Sequence, residues 1–275
     1  MERSFKFIYI CILNERSNIN NFKIIQQMSN LKNKVAVITG GNSGIGYASA
    51  KELKDKGATV IITGRNTTKV QEAAQNLGVK GLVADVTDLD AMDSLVANVK
   101  SEFGKVDVLF VNAGVFKPSP IGQTTEEVYD YQMNINFKGA VFTLEKFLPI
   151  LNDGASVINL SSVLANKGVA NTAVYSASKA ALNSYTKTSA TELAPRKIRV
   201  NSINPGPINT AIYEKTGMPA DQLSGMAATF QERVPLKRFA EPEEVAKLVA
   251  FLASDDASFV TGSEYNIGGG ITISI

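Results

Sequence analysis

From Lys34 to Ile267 the chain alternates short, nearly continuous apolar runs with longer stretches of helical spacing, and this rhythm limits its possible folds more than any other feature. Val35 to Thr39 is apolar almost throughout rather than at every second residue, as in a strand buried on both faces. Ile45 to Lys56 gathers Ile45, Ala48 and Leu53 at helical spacing, leaves Lys51, Glu52, Lys54, Asp55 and Lys56 for solvent, and is closed by Gly57. The same reading gives further strands over 59–63, 81–84, 106–111, 156–160, 198–203 and near 264–267. Helices are expected over 69–76, 88–103, 125–151, 174–193 and 242–253. Strands that alternate with helices need crossover connections, which are right-handed. The expected fold class is therefore α/β: one doubly wound parallel sheet of about seven strands with helices on both faces.

After Met28 there is no linker, low-complexity stretch or internal repeat, so residues 31–275 read as one domain. Residues 1–30 differ in character and read as a dispensable N-terminal extension, with a targeting or interface role as the alternative. Their apolar run, Phe7 to Leu13, is seven residues long, far below the roughly 20 that a membrane span needs. Arg3 and Lys6 precede it as in a signal peptide, but no small-residue cleavage site follows. The expectation is a cytoplasmic protein with no membrane partner.

Composition narrows the chemistry. The formal net charge is +2 and the charges are interspersed, which gives no footprint for nucleic acid. The chain has no His, so His-based general bases, Ser-His triads and His-ligated metals are excluded. Cys11 is the only cysteine, which removes intrachain disulfides and Cys-rich zinc sites. Acid–base chemistry is left to Tyr, Lys, Asp or Glu, and no metal is expected.

Three motifs stand where the alternation can use them. Thr39-Gly40-Gly41-Asn42-Ser43-Gly44-Ile45-Gly46 joins the first strand to the first helix, where glycines let the backbone approach a pyrophosphate and the helix start offers free N–H groups. Its spacing is not the G-x-G-x-x-G of the common dinucleotide fingerprint. Tyr175-Ser176-Ala177-Ser178-Lys179 puts a phenol and an ammonium four residues apart on one helix face, where the ammonium favours the phenolate. Ser161-Ser162 ends a buried strand, on the sheet edge where ligands bind. Singly, each also reads as an ordinary turn, surface pair or cap.

Together, in this order, these motifs resemble the short-chain dehydrogenase/reductase family over about residues 31–271. Val111-Asn112-Ala113-Gly114 is similar to the family's Asn-Ala-Gly element, and Asn136 matches its catalytic Asn. Ser162 stands thirteen residues before Tyr175, the family's usual interval. Asn204-Pro205-Gly206-Pro207-Ile208-Asn209-Thr210 resembles the segment beside the nicotinamide, and Glu243-Glu244-Val245-Ala246 and Val260-Thr261-Gly262 resemble its C-terminal region. Val111 and Gly268 depart from the Asn and Asp often found in the family.

The resemblance implies a Rossmann-type fold, a homotetramer, and an oxidoreductase that moves a hydride between nicotinamide and a small-molecule carbonyl or secondary alcohol. It implies that Tyr175 is the general acid or base, that Ser162 stabilises the substrate oxygen, that Lys179 binds the ribose and lowers the Tyr175 pKa, and that Asn136 holds a relay water. Cofactor contacts are implied at Gly40, Asn42, Ser43, Gly44, Ile45, Gly46, Arg65, Asp85, Val86, Asn112, Ala113, Gly114, Tyr175, Lys179, Pro205, Gly206, Ile208 and Thr210. Asp85 also reads as a helix cap and Thr210 as a loop hydroxyl.

The second strand ends Thr63-Gly64-Arg65, with Gly64 where an NAD-binding acid would sit. That favours NADP(H), with Arg65 on the 2′-phosphate; the alternative is a solvated Arg65 and use of NAD(H) as well. Residues 211–234 read as a substrate lid, with packing of an amphipathic helix as the alternative. Two other functions stay open: a 3-oxoacyl-carrier-protein reductase of the same family, with Lys117, Lys138 and Lys167 as docking cations, and a nucleotide-sensing protein without turnover.

Overall fold

A computed structural model of the chain describes residues 30–211, 225 and 229–273. The N-terminal extension, apart from Asn30, and most of the expected lid lie outside the described residues.

Seven parallel strands form one sheet in the order β3-β2-β1-β4-β5-β6-β7. They are β1 Val35–Thr39, β2 Thr59–Gly64, β3 Lys80–Val83, β4 Val106–Val111, β5 Leu151–Leu160, β6 Arg199–Pro205 and β7 Glu264–Ile267. The crossover helices are α1 Gly44–Asp55, α2 Thr67–Leu77, α3 Leu89–Phe103, α4 Glu126–Met133, α5 Gly139–Phe147, α6 Ala173–Leu193 and α7 Pro242–Ala253. The apolar strands bury both faces, one against α1, α2 and α7 and the other against α3, α5 and α6. Leu31 is already fully buried in the first layer. The α/β, Rossmann-type sheet expected from the alternation is the one observed.

Helix starts follow local chemistry. Asn66 caps α2, Asp88 caps α3 with bonds from the Asp90 and Ala91 N–H groups, and Thr125 caps α4. A reciprocal Glu241–Glu244 box with Pro242 at the first position starts α7.

The expected helix over 125–151 is not one helix. Five residues of π-helix, Asn134–Lys138, separate α4 from α5, and a 3-10 turn, Leu148–Ile150, follows with Pro149 inside it. β5 accordingly begins at Leu151, paired with Val106, five residues before the Ser156 expected from the apolar run. Asn152, Asp153 and Gly154 disguise that stretch, which runs alongside a register shift between Val106 and Val108.

Candidate active site

Strand order reverses across β1, since α1 returns the chain to β2 on one side and β4 joins on the other. At such a point the loops beyond the strand ends part and leave a crevice. Here it encloses about 550 Å³ and is walled by the ends of β1, β2, β3 and β4 and by the start of α6.

The loop after β1 is held by main chain and by Asn112. The Thr39 hydroxyl accepts from the N–H groups of Asn112 and Ala113 at 3.0 and 3.1 Å. The Asn112 amide donates to the carbonyls of Thr39 and Gly40 at 2.8 and 3.0 Å. Asn112 lines the crevice, yet its amide hydrogens are spent on fixing the glycine loop. Gly40 adopts φ +64° and Gly44 φ +54°, a backbone region that favours glycine. A Cβ on Gly46 would stand 2.4 Å from the Gly40 carbonyl oxygen, so Gly46 lies packed beneath the loop rather than on the crevice wall. Ser43 precedes α1 in extended backbone without a side-chain capping bond, so no side-chain acceptor is spent on the first turn's N–H groups. Those donors, beside a loop with no room for side chains, fit the diphosphate of a dinucleotide.

At the end of β2, a Cβ on Gly64 would come within 2.6 Å of the Asn42 Oδ1, so any acid there would displace Asn42. Arg65 is exposed and borders the crevice, and Lys69, one turn into α2, borders it too. Lys69 escaped the sequence reading. The signal was present in Asn66, which accepts from the Lys69 N–H at 2.9 Å and so starts a helix that sets residues 65 and 69 near each other. Asp85 and Val86 border the crevice after β3. One Asp85 oxygen accepts from the Thr87 N–H and hydroxyl at 2.9 and 2.8 Å, while the cap of α3 is Asp88.

The other end is built from buried side chains. α6 carries Tyr175 and Lys179, and the Lys179 ammonium stands 6.0 Å from the centroid of the Tyr175 ring. Lys179 is 3% exposed and donates to the Leu160 carbonyl at the end of β5, at 2.7 Å. Burial pulls its pKa from 10.5 down to about 8. Burial also pushes the Tyr175 phenol above its usual 10, and a hydrogen bond with Ser162 pulls against that rise. Desolvation is the largest influence on Tyr175, opposite in sign to the lowering by Lys179 that the resemblance implies. The Ser162 oxygen accepts from the Leu164 N–H at 3.1 Å, and the Ser161 hydroxyl donates to the Lys179 carbonyl at 3.1 Å, tying β5 to α6.

Asn136 is buried in the π-helical turn. Its Oδ1 accepts from the Val115 N–H at 2.8 Å, and its Nδ2 donates to the Val115 carbonyl at 3.0 Å and to the Ser178 hydroxyl at 3.2 Å. The Asn136 amide thus holds the segment after Gly114. A Cβ on Gly114 would lie 3.4 Å from both Asn136 Oδ1 and Lys179 Nζ, so this glycine brings the crevice wall up to both. Ala113 and Ile45 also border the crevice.

The segment after β6 divides. Thr210 reaches the crevice, whereas Pro205, Gly206 and Ile208 do not border it. Gly206 packs on Gly268, where a Cβ would meet the Gly268 Cα at 2.7 Å. The Ile208 side chain is buried in the core, and the Ile208–Ala240 bridge uses the peptide groups of Pro207 and Asn209. The Ile208 N–H and carbonyl are left outside that ladder. Among the described residues no group of His, Cys, Asp or Glu could hold a metal, and no helix is long and apolar enough to cross a membrane.

The sequence profile of a family described as enoyl-(acyl carrier protein) reductase matches residues 40–272. A 3-oxoacyl-acyl-carrier-protein reductase of Thermotoga maritima is 39% identical over 88% of this chain and 99% of its own length. The galactitol 2-dehydrogenase of Agrobacterium fabrum is 35% identical over 87% and 98%. A blue fluorescent protein from a metagenomic library, solved in complex with NADPH, superposes with a TM-score of 0.81 at 33% identity, covering 88% of this chain and 99% of its own.

Proposed function

This chain belongs to the short-chain dehydrogenase/reductase family, and from that premise we propose that Tyr175, Ser162 and Lys179 carry its chemistry, with NADP(H) as the preferred cofactor. The enzyme is an NAD(P)-dependent oxidoreductase that transfers a hydride between nicotinamide and a carbonyl or secondary alcohol.

When bound, a nicotinamide cofactor would supply the hydride chemistry. In reduction, the Tyr175 phenol gives its proton to the carbonyl oxygen as that oxygen gains charge. Ser162, whose hydroxyl acts on the Tyr175 phenol, donates to the same oxygen. Lys179 stabilises the phenolate left behind, and with a pKa of about 8 it exchanges protons near neutral pH. Asn136 positions the wall beside them by gripping Val115. The glycine loop, Asn42, Ser43 and the α1 start would hold the diphosphate, Asp85 and Val86 would take the adenine, and Thr210, with the Ile208 peptide groups, would take the carboxamide. Pro205 and Gly206 shape that last segment from behind.

The observation that carries this reading is that Tyr175 and Lys179 line one end of the crevice whose other end is the glycine loop, with Ser162, which does not border the crevice itself, acting on the Tyr175 phenol. The test is NADPH and NADH oxidation against aldehydes, ketones, quinones, sugars and 3-oxoacyl thioesters, with wild type and Tyr175→Phe. Turnover that depends on Tyr175 supports it; turnover indifferent to Tyr175 overturns it.

Support for NADP(H) comes from the pair Arg65 and Lys69 at the β2 end, where Gly64 excludes a competing acid. The Thermotoga relative favours 3-oxoacyl thioesters as a second reading of the substrate, which acetoacetyl thioesters in the same panel address. A sensor without turnover would have no need of a buried Lys179 beside Tyr175. We also read the enzyme as a cytoplasmic homotetramer, with α4, α5 and α6 as pairing helices; light scattering at micromolar concentration tests the assembly.

A further inference from the structure

The proposed chemistry leaves one cation at the Tyr175 end without a task, and we propose that Lys117 binds an oxyanion carried by the substrate. On the reading above, the natural substrate is then a carbonyl compound bearing a carboxylate or a phosphate rather than a neutral ketone.

The segment holding Lys117 is fixed along its length against the reacting groups. Asn136 grips both peptide groups of Val115 at 2.8 and 3.0 Å. The Phe116 ring meets the Tyr175 ring edge-on, with centroids 5.2 Å apart and planes at 84°. The Lys117 N–H donates to the Gln132 Oε1 at 3.0 Å, and the Ser119 hydroxyl accepts from the N–H of Val174, the residue before Tyr175, at 3.0 Å. Lys117 is therefore next in sequence to the ring that touches the proposed proton donor, on a stretch stitched to α4 and α6.

Charge singles it out. Arg65, Lys69, Lys117 and Lys179 border the crevice, against the one carboxylate of Asp85. Arg65 and Lys69 stand at the β2 end, and Lys179 is committed to the Leu160 carbonyl. Among the described residues the Lys117 ammonium takes part in none of the ion pairs. It is half-buried, and Phe116, Tyr131 and Ile135 border the same crevice. A substrate oxyanion at this part of the wall would give the Lys117 ammonium a charge-assisted partner. The same rings give the rest of the substrate an apolar surface.

The test uses two pairs of carbonyl compounds with saturating NADPH: 4-oxocyclohexanecarboxylate with its methyl ester, and acetoacetyl-coenzyme A with acetoacetyl-N-acetylcysteamine. In at least one pair the wild type should favour the charged member in kcat/KM. In that pair Lys117→Ala should lower the charged-to-neutral ratio about 10- to 100-fold, the strength of a charge-assisted hydrogen bond, and Lys117→Arg should restore part of it. A response in the first pair identifies a carboxylate on the substrate, and one in the second identifies the phosphates of a carrier arm. Fluorescence titration with NADPH checks that the variants are folded. Tyr175-dependent reduction with the same ratio in wild type and Lys117→Ala overturns the Lys117 assignment alone. Failure to reduce any of the four, or reduction indifferent to Tyr175, overturns the proposed chemistry and the assignment with it.

Discussion

The two ends of the crevice are made of different material. At the glycine end the wall is main chain: Gly40 and Gly44 in the left-handed region, Gly46 under a carbonyl, and helix N–H groups without a side-chain acceptor. At the tyrosine end it is side chains drawn out of water, with Lys179 and Asn136 buried and Tyr175, Ser162 and Ser161 tied to them or to neighbouring backbone. A wall of main chain works by shape and dipole, so its failures should be steric and nearly independent of pH. A wall of buried titratable groups works by desolvation, so its failures should follow pH and should trade against stability.

The largest contrast is expected at Tyr175. Tyr175→Phe should reduce kcat by about 100- to 10,000-fold, the usual contribution of general acid–base catalysis, with NADPH affinity nearly unchanged. Retention of a tenth of wild-type kcat would remove the phenol from the chemistry.

Lys179 extends the contrast to stability. Its folded pKa is about 8 against an ordinary 10.5, so below pH 8 both states carry the charge and the burial cost is present in full. Between about 8 and 10.5 the unfolded chain holds a proton that the folded chain has lost, and stability rises with pH. Lys179→Met should therefore be more stable than wild type at pH 7, by at most about 3 kcal/mol for such a shift, and the gap should narrow as pH climbs from about 8 to 10.5. Denaturant melts of both proteins from pH 7 to 10.5 measure it, and a constant gap would deny the buried charge.

At the glycine end, Gly46→Ala sets a Cβ against the Gly40 carbonyl oxygen and the Asn112 amide, at 2.4 and 2.5 Å. Overpacking of this kind costs about 1–3 kcal/mol. The NADPH dissociation constant should rise about tenfold or more, by the same factor at pH 6.5 and pH 8.5. A pH-dependent factor would blur the division between the two ends.

The smallest effect is expected at the β2 end, where Arg65 and Lys69 are exposed and screened. Arg65→Ala should lower kcat/KM for NADPH about tenfold, the scale of one charge-assisted hydrogen bond, with little change for NADH. Lys69→Ala should lower it less. A wild type that prefers NADH would sink the phosphate role of both.

What could be read from the sequence follows the same division. The strands were legible where a sheet covered on both faces leaves almost no polar residue, as in Val106–Val111, where only Asp107 is polar. Tyr175, Lys179 and Ser162 stood out through their conjunction in the order and interval that resemble the family's, since helical spacing and a strand end alone fit a surface pair and a cap equally well. The π-helical turn at Asn134–Lys138 was not, since it changes the hydrogen-bond ladder without requiring Gly or Pro. Pro149 is the one signal in the sequence for the end of that helix. The occupied amides of Asn112 and Asn136 were out of reach too, because their partners lie 73 and 21 residues away, at Thr39 and Val115. Lys69 was missed because it became a neighbour of Arg65 only once Asn66 had started α2.

The central claim, that a hydride passes to a carbonyl carbon held beside Tyr175, is tested most directly by following a label. NADPH carrying deuterium at one face of nicotinamide C4 is incubated with the wild-type enzyme and the best carbonyl of the panel, and the alcohol is examined by NMR. The account predicts deuterium bonded to the carbinol carbon from one of the two C4-labelled cofactors and none from the other. An alcohol formed without label from either cofactor, or label lost to water, would contradict it.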